Sequence, residues 1–348
     1  MLAKCGFLYI YLMKRWFFIA LSIIMSKIHA QGFNFDEGSY LKREVLPETR
    51  AQIKSSVDFS MYVPLNYEQF GGTCVAHAFS KARATLLNKK LNITDPNKKA
   101  ALSFSPYWIY FNLTTSSDYK CSKGLDPEKA AKFVLNYGFA PLASVEYPNY
   151  YPFTNNCLGN PYPNTYPLNY KNDLVNAKQY RFTDIYRCAN LNQIRSALSD
   201  GLLVVAGFYV NDRFKSCRQS YFSLGNNELP GKMGHAMLVV GYSDIKYGGS
   251  FKIANSWGSG WGDNGFVWID YLSFYKMLIA SYACSDKKYW GDSKTDDSSS
   301  DIVLRSSLED IKIPSDNNFE NIDLELPFSE DDRKKLEELI ISQQSDTN

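Results

Sequence analysis

Histidine is scarce in this chain, with only His29, His77 and His235 among 348 residues. So little imidazole leaves few ways to build a metal centre. Cys74 and His77 stand at i, i+3 with no matching second pair, which falls short of a zinc pattern, so no metal and no cofactor are expected. A basic cluster and a glycine-rich phosphate loop are also missing, which argues against nucleic acid and nucleotides as partners. The apolar run "WFFIALSIIM", Trp16 to Met25, is ten residues long, well short of the roughly 20 that a spanning helix needs. Lys4, Lys14 and Arg15 precede it and Ala30 follows at a cleavage position. Residues 1–30 therefore read as a signal peptide, which places the protein outside the cell, in the periplasm or in a lysosomal or vacuolar lumen.

What is present in quantity is apolar and aromatic surface, 45% and 15% of the residues, enough for a large core and roughly two domains. Loss of residues 1–30 removes Cys5 and leaves Cys74, Cys121, Cys157, Cys188, Cys217 and Cys284 where disulfides persist. The sequons at Asn92 and Asn112 fit an exported surface. Charge is uneven: residues 285–348 hold 17 acids against 8 bases, a net of −9, which leaves +11 for residues 1–284. Residues 286–348 read as an acidic and largely disordered tail. Near its end, Ser329 caps a short helix carrying Leu336, Leu339 and Ile340.

Residues 31–56 form a short pro-segment or N-terminal arm, polar and irregular as far as residue 45. The spacing of Val75, Phe79, Ala82 and Leu86 predicts a helix from Cys74 to Asn88 with one apolar face, and the pair Gly71-Gly72 puts Cys74 at its N-terminus. Asp126 as N-cap, Pro127 and the stop at Gly138 predict a second helix, and Asn190 and Gly201 bound a third. A loop rich in Tyr, Pro and Asn runs from Tyr147 to Tyr170. The runs "LLVVAGFYV", "HAMLVVGY", "SFKIANSW" and "GFVWIDYL" read as strands. Helices first and strands second predict an α+β protein of two layers or lobes, one over residues 57–175 and one over 176–285.

A thiol reacts as thiolate, and a helix N-terminus with a nearby imidazolium lowers its pKa. His77 lies one helical turn beyond Cys74, where a short S–N contact has poor geometry, and is read as structural or solvated. His235 begins a strand that can hold its ring rigidly, and Asn255, twenty residues on, can orient the second ring nitrogen. These segments resemble the papain-like cysteine proteases: "GTCVAHAFS" is similar to the nucleophile segment, "GHAMLVVGY" to the histidine segment and "FKIANSWGSGWGDNGFVWI" to the asparagine segment. Asn255, Trp257, Gly258, Gly260, Trp261, Gly262 and Gly265 carry the most specific part of the likeness, which covers roughly residues 57 to 284.

The resemblance implies a papain-like two-lobed fold, with a helical N-terminal lobe, an antiparallel barrel-like C-terminal lobe and the site in the cleft between them. It implies Cys74 as nucleophile, His235 as base then acid, and Asn255 as orienter. Trp257 would shield the His–Asn bond, Gln69 would donate to the oxyanion, and Gly124 would pair with substrate backbone. It further implies a Cys121–Cys157 disulfide, and one more bridge is expected among Cys188, Cys217 and Cys284. The expected protein is a monomeric cysteine endopeptidase acting on peptides or proteins. The alternatives are a catalytically weak or inactive relative that binds peptides or proteins and a transpeptidase using the same Cys-His-Asn site. Three departures stand out. Val75 replaces the usual tryptophan, Gly71 replaces a cysteine, and Gln69 precedes Cys74 by five residues rather than six, with Glu68 at the sixth. Residues 31–56 are too few for a long helical propeptide, so self-inhibition of that kind is not expected.

Overall fold

The computed structural model describes residues 32–286 apart from 48–51, 65–67, 116–117, 119, 147–167 and 226. The expected signal peptide, Cys157 and the acidic tail after Asp286, its helix included, lie outside the described residues. The first half holds α1 (Glu37–Leu41), β1 (Ser56–Asp58), α2 (Cys74–Lys90), α3 (Pro96–Ala101), α4 (Pro106–Leu113), α5 (Pro127–Asn136) and α6 (Leu168–Lys178). The second half runs β2 (Asp184–Arg187), α7 (Leu191–Ser199), β3 (Leu203–Val210), α8 (Asp212–Lys215), β4 (Tyr221–Phe222), β5 (Met233–Ser243), β6 (Ser250–Ala254), β7 (Phe266–Asp270), α9 (Tyr271–Met277) and β8 (Leu278–Ser285).

Local chemistry accounts for several boundaries. Asp126 accepts from the Glu128 N–H at the start of α5, Pro127 supplies a position that needs no donor, and Gly138 turns the chain at φ +74° just beyond. Asn190 caps α7 through the Gln193 N–H at 3.0 Å. The strands form one sheet in the order β2-β8-β3-β5-β6-β7-β4, with β1 added on β5. All pairings are antiparallel except β4 with β7. One core joins the helices to one side of the sheet, around Phe79, Trp108 and Phe133. A second fills the other side, around Phe208, Phe214, Trp261 and Phe274. The fold is the α+β class expected from the sequence.

Helix α2 differs from its expected single apolar face, because every residue but Lys89 and Lys90 is buried. It lies between β5 on one side and α4 and α5 on the other, so His77, Lys81, Arg83 and Asn88 are drawn into the interior. The arm is also more regular than expected, with Asp36 capping α1 through the Ser39 N–H. Asn112 is buried, and its side chain bonds Trp108 O and Tyr170 Oη, so that sequon is closed in the folded chain.

The expected bridge among Cys188, Cys217 and Cys284 is not formed; all three thiols are free and buried. Cys284 packs into the helix-side core and the other two into the core across the sheet, where Cys188 bonds Ser281 and Cys217 bonds Gln219 O. Burial pushes the thiols of Cys74 and Cys188 up to about 12. A folded state with raised thiol pKa values holds protons that the unfolded chain releases, so this stability is present below the unfolded value and is lost as pH rises. Between about pH 9 and 12 each such thiol removes roughly 1.4 kcal/mol per pH unit. The guanidinium midpoint should therefore fall steadily above pH 9; a midpoint flat to pH 11 would contradict it.

Candidate active site

Two glycine-punctuated segments aim the site's side chains. Strand β5 presents His235 opposite Phe208 of β3, and the chain leaving β6 presents Asn255, whose N–H bonds Gly265 O at 2.9 Å. His235 Nε2 lies 2.8 Å from Asn255 Oδ1. The same oxygen accepts the Ser256 backbone N–H at 2.8 Å. A main-chain N–H can only donate, so this atom is the amide oxygen and His235 Nε2 carries the proton. Nδ1 is then the ring nitrogen with a lone pair when the imidazole is neutral. Trp257 lies flat on His235 at 4.3 Å between ring centres, and Trp261 meets Trp257 edge-on. All three are buried, which keeps water from the His–Asn bond.

Cys74 opens α2, as expected from the glycines before it. Backbone N–H groups of Ala236, Val75 and Cys74 itself approach the thiol, so it lies beside the strand residue that follows His235. Those donors favour thiolate, but burial dominates. The cover over the thiol is the arm. A Cβ on Gly32 would stand 2.6 Å from Cys74 Sγ and 2.7 Å from Gly72 O. Residues 32–34 run as an extended strand beside Leu125: Leu125 N–H donates to Gly32 O at 3.1 Å and Asn34 N–H to Leu125 O at 2.9 Å. Asn34 Nδ2 adds a bond to Lys123 O at 2.6 Å. The Phe33 ring rests where a side chain on Gly207 would stand, with Gly234 beside it. An aromatic series, Phe33, Phe35, Tyr40, Tyr282 and Phe79, ties the arm to the core. Arg43 anchors its far end with two 2.8 Å bonds to the Glu128 carboxylate and one to Ile185 O.

Gln69, Gly124 and Cys121 lie close to the segments that carry Cys74 and Asn255. Gln69 is latched across to the sheet: its N–H donates to Ser256 O at 2.7 Å, and its Oε1 accepts from Ser256 Oγ at 2.5 Å. Its Nε2 donates to Gly71 O at 2.9 Å, which uses one of two amide protons. Gly124, at φ +71°, faces Gly32 so closely that a Cβ would lie 2.6 Å from the Gly32 carbonyl carbon. Its N–H goes to Tyr110 Oη at 3.1 Å, and Leu125 is the residue that pairs with an extended chain. Cys121 is disulfide-bonded. His77 is buried, and desolvation, with Lys81 and His235 near it, drives its pKa well down. Among the described residues no cluster of metal-binding side chains is found, and no helix is long and apolar enough to cross a membrane.

Sequence reasoning missed Gly32, Phe33, Lys81 and Ser256. Only Lys81 left a trace, as a cation on the same helical stripe as Cys74.

Comparison with known proteins agrees with this geometry. The model of the papain family cysteine protease matches residues 72–286. Among solved structures, xylellain, a cysteine protease from Xylella fastidiosa, superposes with a TM-score of 0.60 at 20% identity, covering 75% of this chain and 98% of its own. Procathepsin B S9 from Trypanosoma congolense gives 0.55 at 16% identity, with coverages of 76% and 89%. Digestive procathepsin L 3 of the Tenebrio molitor larval midgut gives 0.51 at 17%, with 74% and 77%. No curated protein matches.

Proposed function

This chain belongs to the papain family of cysteine proteases, and we propose that it is a secreted or lumenal endopeptidase working through Cys74, His235 and Asn255. The observation that carries the reading is the tautomer. With Nε2–H given to Asn255 Oδ1, Nδ1 is left to take the proton from the Cys74 thiol. The thiolate adds to a peptide carbonyl, and the tetrahedral oxyanion collapses to a thioester as His235 returns its proton to the departing amine. Water, deprotonated by the same imidazole, then releases the acid and the thiol. The Cys74 N–H and the second proton of Gln69 Nε2 are the donors for the oxyanion. The helical lobe over 57–175 supplies nucleophile and oxyanion donors, and the β lobe over 176–285 supplies base and orienter. None of the proposed site residues lies in the acidic tail. The form with Gly32 over the thiol is a covered one, so turnover requires the arm to leave.

Removal of Gln69 should then lower kcat on the order of a hundredfold with little change in KM, as for a contact made only in the transition state. Steady-state kinetics of Gln69→Ala test this, with Glu68→Gln as a silent control. Wild-type kcat in Gln69→Ala would mean that the oxyanion hole is built from other donors, with the Gln69 amide committed to Gly71 O. The partner proposed for Cys121 is Cys157, closing a 35-residue loop worth roughly 3–4 kcal/mol on loop entropy. Unreduced peptide mapping should recover the two in one linked fragment; a free Cys157 thiol would refute the pairing.

A further inference from the structure

Cys74, His77 and Lys81 stand at i, i+3 and i+7 on α2 and so share one stripe of the helix. The Lys81 side chain is buried, and Nζ donates to the backbone carbonyl of Asn255 at 2.5 Å. That carbonyl belongs to the peptide plane whose N–H, on Ser256, donates to Asn255 Oδ1. The two ends of one rigid plane are thus held, one by Lys81 and one by the amide oxygen that orients His235. Turning the plane about its axis would carry the Ser256 N–H away from Oδ1 and free the amide to rotate. Asn255 Nδ2 is buried with no hydrogen-bond partner among the described residues, so the amide's other end supplies no such hold.

Building on the peptidase reading above, we infer that Lys81 is a positioning residue. It locks the Asn255–Ser256 peptide plane from beneath, and through it the Asn255 amide and the His235 tautomer. Burying an amine is unfavourable, and here desolvation lowers the Lys81 pKa to about 7. An apolar side chain would fill the same space in the core without that penalty. What it would lack is the donor.

The test uses the full chain with Lys81→Met, which keeps the length and removes the donor. With only three histidines, selective ¹⁵N labelling of their rings resolves His235. Wild type should show one protonated and one bare ring nitrogen. Folded Lys81→Met should show the two shifts drawn together as tautomers mix. On a peptide that the wild-type chain cleaves, the same variant should lose about tenfold in kcat with KM held within about twofold. In an Asn255→Ala background the substitution at 81 should change kcat by less than about twofold, since the two groups act in series. If Lys81→Met fails to fold, Lys81→Leu, which also lacks the donor, replaces it in the same cycle. An unshifted tautomer in the folded variant, or an equal loss with and without Asn255, overturns the inference. The ring shifts need no turnover, so absence of peptidase activity would defeat the functional reading and leave this one standing to be judged.

Discussion

Cys74→Ala should abolish peptide hydrolysis, with a loss of at least about 10⁴-fold in kcat, because the other free thiols among the described residues, Cys188, Cys217 and Cys284, are buried in the cores and cannot form the thioester. His235→Ala should come close to the same loss. The proton on Cys74 would have no acceptor, and the departing amine no donor. Asn255→Ala should retain a measurable remainder, since it removes the hold on the ring and leaves the ring itself. The order of the three variants matters as much as their size. Equal losses for His77→Gln and His235→Ala would transfer the base to the helix and undo the assignment made from Nε2 and Oδ1.

Uncovering the thiol is the second large effect. With the arm in place the Cys74 pKa is pushed up to about 12 by burial, and thiolate at neutral pH falls tenfold for each such unit. A chain without residues 1–35 loses the Gly32 cover, the Phe33 ring and the pairing with Leu125. Water then reaches the sulfur, and the donors from Ala236, Val75 and Cys74 act on it with less opposition. Alkylation of Cys74 by iodoacetamide at pH 7 should accelerate by on the order of a hundredfold or more. Gly32→Ala should move in the same direction without truncation, because its methyl would meet the sulfur and Gly72 O at distances that atoms do not share. Unchanged alkylation in both forms would mean that the arm does not limit access.

The parts of the site that were legible in the sequence are those set by local chemistry. The glycine pair before Cys74 placed it at a helix start, and Asp126, Pro127 and Asn190 announced their helices through caps formed within three residues. His235 and Asn255 were legible because their segments resemble the family's histidine and asparagine segments, and the antiparallel β5–β6 pair brings the two side chains together. What escaped depends on contacts distant in sequence. The arm looks irregular because its order comes from Leu125, Glu128 and Tyr282, roughly 90 to 240 residues away, and not from its own propensities. The period of α2 pointed to one buried face, and the second was created by α4 and α5 folding over it. Strand β8 was hidden by its small residues, Ala280, Ser281, Ala283 and Cys284, which suit a central strand but carry little β signal. The absent bridge had a similar cause: Cys188 and Cys284 sit on opposite faces of one sheet, and strand register, which a cysteine count does not contain, decides that.

The most direct measurement is hydrolysis of a diverse peptide mixture by the chain lacking residues 1–35, before and after stoichiometric alkylation, with the modified residue identified by mass spectrometry. The account expects cleavage of internal peptide bonds that vanishes in proportion to carboxamidomethylation of Cys74. Cleavage that persists with Cys74 fully modified, or no cleavage by a folded chain whose Cys74 is open to the reagent, would contradict it.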